Sequence, residues 1–168
     1  PTPSSAASDV YKRQDVAFEL VMLAISNKKH VVTANKALIA EFGSIILEAA
    51  SNANVNVAFE ASVGGGIPVL KSIREGLVAN KINWLAGIIN GTTNFILSEM
   101  SIKKTAFGVV LTEAQSKGYA EADPTFDIEG IDAAQKLAIL ASLSFGIPLS
   151  VSEFFVEGIT HILSLIHI

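Results

Sequence analysis

Helix-like and strand-like segments alternate over the first third of this chain, and that alternation restricts the fold more than any other feature. From Asp15 to Asn27 the apolar residues Val16, Leu20, Leu23 and Ala24 recur at helical spacing, and Lys28 and Lys29 follow where a helix carboxyl end favours positive charge. The short, mostly β-branched run His30 to Thr33 predicts a strand, Lys36 to Ser51 a second helix, and Val55 to Phe59 another strand. Strand, helix and strand in this order imply parallel pairing through a right-handed crossover. The expected class is therefore α/β, and this region resembles the second half of a doubly wound parallel sheet.

After Glu60 the texture changes to Ser62-Val63-Gly64-Gly65-Gly66-Ile67-Pro68, a loop whose glycines permit backbone conformations closed to other residues. A domain boundary is expected here. Beyond it the sequence predicts a helix from about Val69 to Gly76, a buried strand from Ile82 to Ile89, and helices over Thr92 to Ser101 and Ala106 to Lys117. A long apolar helix from Ile131 to Phe145 is stopped by Gly146 and Pro148. There is no internal repeat.

With 168 residues, 50% of them hydrophobic, the chain can bury a substantial core. Its formal charge of -4 and scattered Lys and Arg argue against a nucleic-acid or anionic-membrane surface, both of which require clustered positive charge, and leave a small molecule as the expected partner. Mean hydropathy is +0.47, yet the apolar stretches Leu20 to Ile25 and Leu137 to Val151 are bounded by Glu19 and Asn27 or broken by serines, Gly146 and Pro148. Neither reaches the roughly 20 residues of a spanning helix. Without cysteine there is no disulfide, thiolate nucleophile or cysteine metal cluster, which suits the cytoplasm. Residues 1–14 are rich in Ser, Ala and Pro, lack the apolar core of a secretory signal, and read as an extraneous tail.

The block from Gly118 to Lys136 carries the most chemistry. It places five carboxylates, at Glu121, Asp123, Asp127, Glu129 and Asp132, within twelve residues. Asp132 and Lys136 are four apart, so on a helix they stand about 40° apart on one face. A solvated ion pair worth a few tenths of a kcal/mol is the plain reading of such spacing. The apolar continuation Leu137 to Ala141 favours burial instead, and a desolvated lysine held by an aspartate, opposite Glu121 and Asp127, is suited to giving and taking a proton.

Three other segments are candidates. The glycine loop is either a plain tight turn, a helix amino terminus that cradles an anion, or a backbone-carbonyl cation site charged by Glu60. It lacks the Lys-Ser/Thr that completes a P-loop. Asn90-Gly91-Thr92-Thr93-Asn94 follows an expected strand and opens a helix, so Asn90 or Thr92 is either a helix cap or part of a polar pocket for a small amino acid. Val32-Thr33-Ala34-Asn35-Lys36 lies at the end of a parallel strand, where open α/β sheets bind ligands, which singles out Lys36 over Lys71 and Lys81. His30, His161 and His167 have no metal-ligand spacing.

In Val31 to Ala40, Glu60 to Val69, Gly87 to Met100 and Ala114 to Leu140, all in the family's order, the chain resembles the homoserine dehydrogenases. That resemblance covers about Asp15 to His161. It implies reversible reduction of aspartate 4-semialdehyde to homoserine with NADH or NADPH, in the route to threonine, isoleucine and methionine. It also implies a cytoplasmic enzyme, usually a homodimer, in which a Rossmann domain is joined to an α/β substrate-binding and dimerisation domain. Carried over by position, Lys136 resembles the proton donor to the carbonyl oxygen, with Asp132 beside it on the same helix. Glu121 and Asp127 resemble the carboxylates that hold substrate ammonium and hydroxyl, and Asn90 and Thr92 match the segment beside the substrate. Lys36 matches the lysine facing both cofactor and substrate. Glu60, with the backbone carbonyls of Val63, Gly65 and Ile67, matches a sodium site of the family.

The resemblance divides the chain into a partial NAD(P)-binding domain at residues 15–59 and an incomplete catalytic domain at 60–161, with a non-family tail at 162–168. The family's opening strand and its GxGxxG-type turn, which places the pyrophosphate on a helix amino terminus, do not occur in this sequence. The expectation is accordingly an inactive fragment that binds cofactor poorly or not at all. NADPH-dependent reduction of aspartate 4-semialdehyde by the purified chain would refute it. The alternative is a non-catalytic small-molecule-binding or interaction module, which has no use for Lys36 and Lys136 together.

Overall fold

The structure, a computed structural model, describes residues 14–162. The tail expectations for residues 1–14 and 162–168 therefore lie almost wholly outside the described residues. The fold is α/β, with helices predominating over one small parallel sheet. Two compact units are present: residues through Trp84 together with Gln135–Val151 make the first, and Leu85–Ala134 with the segment from Ser152 make the second.

In the first unit, α1 (Gln14–Ser26) leads to β1 (Val31–Val32), α2 (Lys36–Ala53) and β2 (Val57–Ala58). The two strands pair in parallel, Val31 opposite Val57 and Val32 opposite Ala58, as the alternation predicts. Their ladder is extended by Thr33 N–H donating to Ala58 O at 2.9 Å. Helix α2 is defined at both ends by chemistry visible in the sequence. Asn35 caps it, its side chain accepting from Leu38 N at 3.0 Å. At the other end Asn54 adopts a left-handed conformation, φ 56°, and the Asn54 and Val55 amides return to carbonyls of the last turn.

The buried stripe of α1 differs from the one its spacing suggests. Val16, Leu20 and Leu23 are exposed, whereas Phe18, Val21, Met22 and Ile25 pack on Leu38, Phe42, Ile46 and Ala50 of α2. The helix is apolar on more than one face, so periodicity alone cannot choose the inner one. The aromatic contact between Phe18 and Phe42, ring centroids 4.7 Å apart, belongs to the face that is buried.

Beyond β2 a single turn, Glu60–Ser62, precedes the glycine loop, in which Gly64 and Gly66 have φ of +64° and +81°. The following helix, α3, is regular over Val69–Lys71 and then widens over Ser72–Gly76 into a turn closed by Leu77 N–H donating to Ser72 O. Residues 82–89, expected as a strand, form no ladder. A strand exists only through its neighbour, and no described segment pairs with this one. Trp84 and Ile88 consequently stand 76% and 78% exposed.

The second unit contains α4 (Gly91–Lys103), α5 (Phe107–Ser116) and the short α6 (Thr125–Ile128); α7 (Ile131–Phe145) begins in it. Ile96 and Met100 of α4, Val110 and Ala114 of α5, Ala120, Ile128 and Ile159 form its core. Gly118, at φ +77°, ends α5 in the left-handed region, and Tyr119 N–H returns to Ala114 O. The far end of α7 closes as predicted, Gly146 at φ +67° donating its amide to Ser142 O.

An exposed ion-pair network ties α4 to α5. Lys103 Nζ lies 2.6 Å from Glu99 and 2.7 Å from Glu113, and Lys117 Nζ lies 2.6 Å from Glu113. Hydrogen bonds from Lys103 and then Lys117 hold the Glu113 carboxyl below the usual range, and Glu113 and then Glu99 raise Lys103. The Glu113 contribution is present above an ordinary glutamate's pKa and is lost as pH falls through the depressed value. That of Lys103 is present below an ordinary lysine's pKa and is lost as pH rises through the raised value. A melting series for Glu113→Gln against wild type is expected to show a small constant deficit near neutral pH that closes in acid and shrinks in about 1 M salt. A deficit unchanged by either would exclude the electrostatic origin.

Candidate functional site

Asn90 organises the polar cluster of the second unit. It occupies the N-cap position of α4 with extended backbone, and its Oδ1 accepts from Thr93 N–H at 2.8 Å and from Thr93 Oγ1 at 2.9 Å. A backbone N–H can only donate, so the atom facing Thr93 must be the amide oxygen, and the NH2 group points the other way. There Nδ2 donates to Asp127 Oδ1 at 2.7 Å and to Asp132 Oδ2 at 2.9 Å. Asn90 and Asp132 are 7% and 6% exposed. A carboxylate removed from water, as that of Asp132 is, needs such a donor.

The turn between the two aspartates sets their spacing. Asp127 lies in α6 and Asp132 in the first turn of α7, and between them Gly130 at φ +80° donates its amide to Asp127 O while its carbonyl accepts from Ala134 N–H. A Cβ at Gly130 would lie 3.1 Å from Glu157 O, and one at Gly158 would lie 2.7 Å from Ile128 O. The 156–159 segment thus closes on this turn, fastened by Ile159 N–H donating to Ile128 O at 2.8 Å. Lys136 follows Asp132 by four residues in the same unbroken helix and is half-buried.

Glu121 is exposed, on a loop whose backbone is held by Gln115 Nε2 donating to Glu121 O at 3.1 Å and Ala122 O at 3.3 Å. Thr92 Oγ1 donates to Tyr119 O at 2.7 Å, joining the start of α4 to the same region. Tyr119 stacks on Phe95 with ring centroids 4.4 Å apart. The structure therefore brings Asn90, Asp127 and Asp132 into direct contact and anchors Thr92 and the Glu121 loop on neighbouring backbone. Sequence reading did not single out Thr93, which fills the Asn90 carbonyl, or Gln115. An Asn followed three residues later by Thr at a helix start would have flagged the first; no local pattern distinguishes the second.

In the first unit Lys36 is the first residue of α2, at the carboxyl end of β1, with Thr33 Oγ1 accepting from Asn35 N–H at 3.1 Å. Glu60 uses both carboxylate oxygens on the start of α3, accepting from Leu70 N–H at 3.0 Å and Lys71 N–H at 2.9 Å. In the glycine loop Ile67 N–H donates to Gly64 O, and Ile67 O accepts from Val69 N–H. Of the histidines, His30 Nδ1 accepts from Asn56 N–H at 2.9 Å, a structural bond. Among the described residues no group of three or more His, Cys, Asp or Glu side chains could hold a metal ion, and no helix is long and apolar enough to cross a membrane.

Comparison with known proteins gives the family. The homoserine dehydrogenase family model matches residues 68–165. The chain is 66% identical over 149 residues to the homoserine dehydrogenase of Pseudomonas aeruginosa, covering 89% of this chain and 34% of that protein. The crystal structure of a homoserine dehydrogenase from Thiobacillus denitrificans superposes with a TM-score of 0.86 at 62% identity, over 89% of this chain and 35% of that one. A hyperthermophilic archaeal homoserine dehydrogenase in complex with NADPH matches with a TM-score of 0.75 at 34% identity, over 84% of this chain and 46% of the other. The chain spans about a third of the length of the curated relatives it matches. The chain belongs to the homoserine dehydrogenase family.

Proposed function

We propose that this sequence is the substrate and proton-transfer region of an NAD(P)-dependent homoserine dehydrogenase, which interconverts L-homoserine and L-aspartate 4-semialdehyde. The observation that carries the reading is the hydrogen-bonded set of Asn90, Asp127 and Asp132 at the start of the helix that bears Lys136, in a chain of that family. Residues 15–59 would belong to the nucleotide domain and 60–161 to the catalytic domain of a cytoplasmic homodimer supplying threonine, isoleucine and methionine.

Oxidation of the alcohol requires a hydride to leave carbon and a proton to leave oxygen. The nicotinamide, when bound, supplies the hydride chemistry. The proton falls to Lys136, whose neutral amine takes it from the hydroxyl and whose ammonium returns it to the carbonyl oxygen in the reverse direction. Asp132 orients Lys136 from one turn away. Asp127 and Glu121 supply acceptors for the substrate ammonium and hydroxyl, with Thr92 beside them.

The residues present fit the groups the family implies. Lys36 stands outside the carboxyl end of a parallel strand, where doubly wound sheets receive nucleotides, and offers a cation to a phosphate or to substrate. The sodium donors are all oxygens, the Glu60 carboxylate and the carbonyls of Val63, Gly65 and Ile67, which suits a hard cation. Glu60 would hold it with the lone pairs not taken by Leu70 and Lys71.

The test is NADP+- or NAD+-dependent oxidation of L-homoserine by the complete enzyme, with Asp127→Ala as the discriminating variant. Loss of a charged hydrogen bond to the substrate is expected to raise KM for homoserine by about ten- to a hundredfold and leave KM for the nucleotide unchanged. Absence of homoserine oxidation in the wild type would overturn the proposal.

A further inference from the structure

Asn90 is one of the residues expected to touch substrate, and its surroundings point elsewhere. A carboxamide has two N–H donors and two acceptor lone pairs. In Asn90 all four are used inside the protein: Asp127 and Asp132 receive the two N–H groups, and Thr93 N–H and Oγ1 occupy the oxygen. The side chain is buried, and no polar valence is left for a ligand.

We infer that Asn90 is a positioning residue, which acts by fixing the carboxylates of Asp127 and Asp132 to the amino terminus of α4 rather than by binding substrate. One amide thereby joins three elements, the first turn of α4, the single turn of α6 and the first turn of α7. Asp132 in turn is one helical turn from Lys136. A carboxylate pair held on one rigid NH2 group keeps a fixed separation, which serine in its place would not impose. The Thr93 contacts make the orientation unambiguous, since rotating the amide would set its NH2 against a backbone N–H.

The inference rests on the functional reading above for its kinetic part only, so two measurements separate the two. The first is a stability cycle in the complete protein, with Asn90→Ser, which keeps a helix-capping oxygen but removes the donor, crossed with Asp132→Ala. The unfolding equilibrium is expected to show coupling of about three- to thirtyfold between the sites. Additive effects would overturn the contact, whatever the enzyme acts on.

The second is kinetic, in the complete enzyme. Asn90→Ser is expected to lower kcat/KM for homoserine at least tenfold, and to lower it by a smaller factor in the Asp132→Ala or the Asp127→Ala background, each of which already lacks one of its two contacts. Asn90→Asp, which preserves size and cap but sets a third carboxylate against the pair, is expected to be worse than Asn90→Ser while retaining the helix content of wild type. Losses that multiply with Asp132→Ala and equally with Asp127→Ala, or an Asn90→Asp enzyme as active as wild type, would show that Asn90 does not act through the aspartates. Complete loss of homoserine oxidation in the wild type would count against the proposed function, and the stability cycle would still decide the role of Asn90.

Discussion

In the complete enzyme, replacing Lys136 with alanine is expected to reduce turnover about 10²- to 10⁴-fold, the usual contribution of a positioned general acid or base. The side chain is half-buried on a helix that is otherwise well anchored, with Ala138, Ile139, Leu140 and Ala141 in the core immediately beyond it. Alanine is also the best helix former, so the stability cost should stay within about 1 kcal/mol. Activity and stability therefore separate cleanly, which a structural lysine would not allow. Lys136→Arg sharpens the test: guanidinium keeps the positive charge but does not release its proton at neutral pH. It should be nearly as inactive as alanine if the role is proton transfer, and substantially active if only charge is needed. Added small primary amines should restore part of the alanine variant's turnover. Unchanged turnover in Lys136→Ala would end the assignment.

The second large effect is structural. Gly158→Ala would place a Cβ 2.7 Å from Ile128 O, 2.8 Å from Glu129 Oε2 and 2.9 Å from Glu129 Cα. Two of those atoms are backbone, and the carbonyl is the acceptor for Ile159 N–H. The chain must move away, which breaks that bond and withdraws Ile159 from the core it shares with Ile128. Overpacking of this kind costs about 2 kcal/mol, or a Tm lowered by roughly 4–8 °C.

Gly43 provides the contrast. Its added Cβ would meet Leu149 Cδ1 at a nominally similar 2.6 Å, but that atom is the end of a side chain that can rotate. Alanine also relieves glycine's helix penalty within α2, about 0.5–1 kcal/mol. Gly43→Ala should consequently melt within about 2 °C of wild type. Equal losses in the two variants would show that the backbone contact at Gly158 is not what makes it costly.

Much of this was legible in the sequence because local rules and tertiary structure agree there. Helix α2 begins at Lys36 as expected and runs to Ala53, two residues past the expected Ser51, and Ile131 to Phe145 form the helix that their spacing predicts. Parallel pairing of β1 and β2 followed from the alternation of elements. What stayed hidden depends on partners distant in sequence. The inner face of α1 is decided by Phe42 and its neighbours on α2, and the 82–89 segment is not a strand because strand character is a property of a pair.

The candidate site divides in the same way. Spacing places Asp132 and Lys136 on one helix, but nothing local says that Asn90, 37 and 42 residues earlier, donates to both aspartates. Asn90 is recognisable in advance as a cap because Thr93 is near in the chain, and its second allegiance is not. The glycines behave alike: Gly130 and Gly158 look like ordinary turn residues until their facing segments are brought together.

The chemical nature of the Asn90 link has a consequence for ligand choice. An arginine or lysine in that position would bind the same two aspartates while cancelling their charge, leaving little for a cationic ligand to sense. A carboxamide orders the anions through dipoles alone and adds no charge of its own. The amide therefore joins the buried Asp132 and the half-buried Asp127 without placing a cation of its own between them. Under the proposed function, a substrate carrying an ammonium group is expected to bind more tightly than its N-acylated counterpart, which offers no positive charge to Asp127.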